Sequence, residues 1–126
     1  MIKTKLSKYI LTAVAFFAIS GGMAWGATYT WQGVNSNWND PGNWYDGVST
    51  YAVPGSLDTA VFTSDASVNL TVSQNPGTLQ ISIGNTVTIT DTQTLTVTTI
   101  TNSGTLSLGT SSLSAGTISS GTFDAT

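Results

Sequence analysis

The sequence predicts an all-β chain wound as a β-solenoid, with an aromatic cap on its first turn and a signal-peptide helix ahead of it. Three observations carry this expectation. The 126 residues include 23 Thr and 16 Ser, and branched side chains suit pleated strands while losing rotamer freedom in helices. Beyond the leader, apolar and polar residues alternate at period 2, with no run at i, i+3, i+4, i+7. Apolar pairs also recur every 16 to 19 residues, as expected where one turn is laid upon another.

Charge separates the chain into two unlike parts. The positive residues are Lys3, Lys5 and Lys8, and the negative ones are Asp40, Asp46, Asp58, Asp65, Asp91 and Asp124. Without the leader, the formal charge moves from −3 to −6. His and Cys are absent, which removes Ser-His-Asp and Cys-His nucleophiles, the usual zinc and iron–sulfur ligands, and disulfides. A body without Lys or Arg has nothing to neutralise phosphates, so neither nucleic acid nor an acidic lipid surface is an expected partner. No catalytic residue, metal or cofactor is expected, and the chain reads as a non-enzyme.

Residues 1–27 read as a secretory signal peptide. Lys3, Lys5 and Lys8 form the positive n-region, Ile10 to Ile19 the apolar h-region, and Ser20 to Ala24 a small, flexible run before cleavage. Cleavage after Ala24 or after Gly26 satisfies the small-x-small rule equally. The apolar run is about half the ~20 residues needed to span a bilayer.

Residues 28–62 hold Trp31, Trp38, Trp44, Tyr29, Tyr45, Tyr51 and Phe62 among Asn and Gly. The structural reading is a cap, because an open first turn exposes both core and strand edge. The functional reading is glycan binding, with Trp38, Asn43, Trp44, Tyr45 and Asp46 as candidates: aromatic faces stack on sugars and polar tips accept from hydroxyls. The spaced oxygens of Asn35, Asn37, Asn39 and Asp40 suit an Asn-rich turn better than a calcium loop, which needs more carboxylates. Asp40 and Asp46 are the closest acid–base pair, but no cation stands by to stabilise developing charge.

Residues 63–126 carry the repeat. One ladder runs Val68/Leu70, Val87/Ile89, Leu106/Leu108, Phe123/Ala125. A second runs Leu79/Ile81, Leu95/Val97, Leu113/Ala115, and a third Ile83, Ile100, Ile118. A fragment recurs as Gly77-Thr78-Leu79, Gln93-Thr94-Leu95, Gly104-Thr105-Leu106 and Gly121-Thr122-Phe123, without always falling on one ladder. The expected turn is about 18 residues, with about three and a half turns in all.

Trp31, Gly33, Trp38, Asn43, Trp44, Pro54, Asp58, Ala60 and Phe62 together resemble the N-terminal segment of bacterial autotransporter-associated β-strand repeat and autotransporter-adhesin-like proteins. The resemblance implies a right-handed parallel β-helix, exported and displayed at the cell surface of an outer-membrane bacterium, with a structural or adhesive role. It would take surface glycans or other cell-surface proteins as partners. No C-terminal membrane barrel or sorting tail follows here, so the chain reads as a fragment or a short relative, and end-to-end self-association is expected of its open last turn. Two alternatives are a carbohydrate-binding β module using the Trp cluster and the N-terminal part of a β-helix polysaccharide-degrading enzyme.

Overall fold

The computed structural model describes residues 25–119 and 121–124; the expected signal peptide lies almost wholly outside them. Ten strands follow in order: β1 (Thr28–Trp31), β2 (Trp44–Tyr45), β3 (Thr59–Phe62), β4 (Ala66–Asn69), β5 (Thr78–Ile81), β6 (Thr86–Thr90), β7 (Thr94–Asn102), β8 (Thr105–Ser107), β9 (Ser112–Ser119) and β10 (Thr122–Asp124). The helical content among the described residues is one 3-10 turn, Pro41–Asn43.

These strands form a β-solenoid of about three turns. The chain alternates between two sheets, ordered β2-β1-β3-β5-β7-β9 and β4-β6-β8-β10. Every neighbouring pair is parallel except β1 with β2. Parallel sheets are stable when both faces are covered; here the two sheets face one another across a single core that runs from Tyr29 to Leu108.

The coils are unequal. Thr59 pairs with Thr78, Thr78 with Thr99, and Thr99 with Thr117. On the second sheet Ala66 pairs with Val87, Thr86 with Thr105, and Thr105 with Thr122. One cause is visible in β7. The amides of Thr98 and Thr99 both donate to the Gly77 carbonyl, at 3.0 and 3.1 Å, so two residues oppose one, as in a bulge. Leu95 and Val97 point inward before this corner, and Ile100 and Asn102 after it.

The ladders read from sequence need three corrections. Val68 stacks on Ile89 and Ala66 on Val87, two residues away from the expected pairing. Leu79 stacks on Ile100, not Leu95, whose neighbour in the coil before is Gln74. Ile83 lies in a turn at 83 % exposure and joins no column. Five further links hold: Val87 with Leu106, Leu106 with Phe123, Leu95 with Leu113, Val97 with Ala115, and Ile100 with Ile118; Ala125, the expected end of the first ladder, lies outside the described residues.

The change of composition near residue 62 is not where the sheet begins. Both β1 and β3 belong to the parallel sheet, and β3 pairs with β5 along its whole length. The recurring Gly-Thr-Leu/Phe fragment marks corners that lead into a strand. A Cβ on Gly77 would lie 2.7 Å from the Ser56 carbonyl oxygen; on Gly104 it would run into the Asn85 carbonyl of the preceding coil. Glycine recurs there because neighbouring backbones leave no room for a side chain.

Candidate functional site

The aromatic segment is built around four rings. Trp38 and Trp44 lie 4.7 Å apart between centroids, Trp31 and Trp44 5.0 Å in an edge-on arrangement, and Phe62 sits 5.4 to 5.9 Å from all three. Tilted and edge-on contacts at this range are the favoured geometry for aromatic pairs. The Trp44 indole N–H donates to the Trp38 carbonyl at 2.8 Å. The Trp38 indole N–H is buried and meets no acceptor among the described residues.

Asn43 holds the loop over these rings. Its side-chain amide donates to Asn35 Oδ1 and to the Asn37 carbonyl, and its oxygen accepts from the Asn35 amide. Asn35 and Asn37 oxygens accept in turn from the Asn37 and Asn39 amides. Asp40 accepts from Asn35 and from the Gly42 amide, and those two hydrogen bonds lower its pKa. The oxygens of Asn35, Asn37 and Asp40 are thus engaged by the loop's own donors, Asn37 also accepts from the Thr71 hydroxyl, and the Asn39 oxygen accepts from the Gln74 side-chain amide. No group of three His, Cys, Asp or Glu that could hold a metal exists among the described residues.

The loop reaches β4, and the chain on either side of it is tied into the other sheet. The Trp38 amide donates to the Asn69 carbonyl at 3.0 Å, and the Asn69 amide to the Ser36 carbonyl at 2.7 Å, which joins residues 36–38 to the outer edge of β4. On the other sheet, the Ala27 amide donates to the Asp58 carboxylate at 2.7 Å, whose second oxygen accepts from the Gly55 amide. The nine residues of the aromatic-segment pattern are all accounted for in the fold. Trp31, Trp38, Asn43, Trp44, Pro54, Ala60 and Phe62 are buried, Asp58 ties two backbone amides, and Gly33 takes a left-handed φ of 67°.

This geometry divides the glycan candidates. Trp38, Asn43 and Trp44 have no exposed surface, so no sugar can stack on them; their ring faces are taken by one another and by Phe62. Tyr45, at the end of β2, and Asp46, in the turn that follows it, are half-buried. Tyr45 bridges Tyr51, with ring centroids 4.8 Å apart, and Tyr51 is 56 % exposed. Asp46 Oδ1 accepts from the amides of Val48, Ser49 and Thr50. Those hydrogen bonds, the one from Thr50 foremost, lower its pKa to about 2. Asp40 and Asp46 are both shifted away from the range a general acid needs near neutral pH. Tyr51 is not among the glycan candidates that the sequence suggests, although the Asp46-Gly47 turn between Tyr45 and Tyr51 is a hairpin signal that could have placed it beside Tyr45.

Compared with known proteins, the chain matches no family profile, no curated protein and no solved structure.

Proposed function

We propose that this chain is an exported, surface-associated structural or adhesin-type β-solenoid without enzymatic activity. In this reading residues 1–27 are removed on export, residues 28–62 cap the first coil, and the coils wind right-handedly as in the autotransporter-associated group it resembles. One observation carries the proposal. The aromatic segment bonds to the first-coil edges of both sheets while burying its rings, so its aromatic and Asn residues serve the end of a rod. The outward Thr and Ser of successive coils then form the surface offered to glycans or cell-surface proteins.

The experiment is a fusion of residues 1–27 to a phosphatase that is active only after export, expressed in a bacterial host. The expected result is activity outside the cytoplasm with the leader removed. Retention of an inactive, uncleaved fusion in the cytoplasm overturns the proposal.

A further inference from the structure

We infer that the outer face of the six-stranded sheet binds a neutral polysaccharide, which stacks on Tyr45 and Tyr51 and runs along the rod over a column of threonine hydroxyls. The inference deepens the surface-associated reading, and it rests on that reading for where such a ligand is met.

Strand pairing sets two kinds of aromatic residue on opposite faces. Trp31 pairs with Trp44 and both are buried in the core, while Thr30 pairs with Tyr45. Alternation along β1 and β2 therefore turns Tyr45 outward. Tyr51 bridges Tyr45 and shares its face. Tyr29, Trp31, Trp38, Trp44 and Phe62 all belong to the core cluster; Tyr45 and Tyr51 do not.

The tyrosine pair is held in place by its own turn. The rings lie 4.8 Å apart at 30°, and Tyr51 is 56 % exposed. Asp46 Oδ1 closes the turn between them by accepting from three amides. Aromatic surface fixed in this way loses little freedom when a ligand docks. Each tyrosine offers a ring face to sugar C–H groups and a phenol to sugar hydroxyls.

Hydroxyls continue the same face along the rod. Thr28 pairs with Thr59, Thr59 with Thr78, Thr78 with Thr99, and Thr99 with Thr117. All five are exposed or half-buried. The neighbouring column runs Thr30, Val61, Gln80 and Thr101; Val61, 8 % exposed, is the covered position in it. Adjacent strands lie about 4.8 Å apart, close to the length that one hexose adds to an extended β-linked chain. A chain laid across the strands therefore meets about one threonine per sugar.

Charge selects the class of glycan. No Lys or Arg follows Lys8, so an anionic chain finds no counter-charge. Asp46 follows β2 and Asp58 precedes β3, and both repel a uronate or a sulfated sugar. The two columns and the tyrosine pair are themselves uncharged, which suits a neutral polymer.

Affinity electrophoresis of the purified chain through gels containing a neutral β-glucan, hydroxyethylcellulose or polygalacturonate tests this. The expected result is retardation by the neutral polymers and none by polygalacturonate. Tyr51→Ala should weaken binding about tenfold or more while leaving the urea unfolding midpoint close to that of the parent. Thr78→Lys, in the middle of the column, should weaken it as well, and Thr86→Lys, on the outer face of the other sheet, should not. Affinity for soluble β-gluco-oligosaccharides should rise from the disaccharide to the hexasaccharide. No retardation by either neutral polymer, equal retardation by polygalacturonate, or full binding by both Tyr51→Ala and Thr78→Lys overturns the proposal. Its failure is distinct from failure of the surface reading, because the leader fusion reports export whether or not the purified chain binds glucan.

Discussion

Trp38 and Trp44 are alike in sequence context, each preceded by Asn, and alike in burial, yet they differ in one bond. The Trp44 indole N–H reaches the Trp38 carbonyl, while that of Trp38 reaches nothing among the described residues. Replacing either ring by phenylalanine removes similar volume. Trp44→Phe also leaves a buried carbonyl without that donor, whereas Trp38→Phe deletes a group that was already unsatisfied. Net of the shared cavity cost, Trp44→Phe should be the more destabilising by about 1–3 kcal/mol. Urea unfolding midpoints of the two variants measure this, and equal or reversed midpoints would refute it. Sequence alone could not separate the two residues, because Trp-Asn spacing specifies a cluster and leaves open which indole finds an oxygen.

Within the strands, period 2 by itself makes the inward and outward faces legible. It cannot fix the stacking of one coil on the next. Moving Val68/Leu70 against Val87/Ile89 by two residues keeps every apolar side chain inward, so the pattern reads the same in either register. Hydrogen bonding decides, and it places Val68 on Ile89. Leu79 fails to stack on Leu95 for a different reason. The β7 strand runs through a corner at Thr98 and Thr99 and so supplies inward residues on both sides of it. The corner glycines, by contrast, are visible as a repeated fragment whose cause is the close approach of backbones. Gly104→Ala should cost about 1–3 kcal/mol, the range for overpacking, since its Cβ would meet the Asn85 carbonyl and lie 2.9 Å from that of Ser82. Gly55→Ala, whose Cβ would meet only Asp58 Oδ2 at 3.4 Å, should cost clearly less. Thermal melts of the two variants check the order; a Gly104→Ala protein as stable as Gly55→Ala would remove close packing as the reason for glycine.

At the scale of the molecule, each coil touches only its neighbours, so stability is close to a sum of coil and interface contributions. Among the described residues, the interior coils have a neighbour on either side, and the coil of β9 and β10 has one. Amide hydrogen exchange in dilute solution should therefore show the strongest protection in β5, β6 and β7 and the weakest in β9 and β10, with the gradient running along the rod. Uniform protection from β3 to β10 would mean that the molecule opens as a single cooperative unit. The aromatic end stands apart from this gradient. Its link to β4 joins residues 36–38 to Asn69, about thirty residues further along the chain, so it cannot close until the first coil is complete. Once closed, it gives growth a direction. The finished first coil is open on one face only, so the coils that dock on it extend both sheets in one direction.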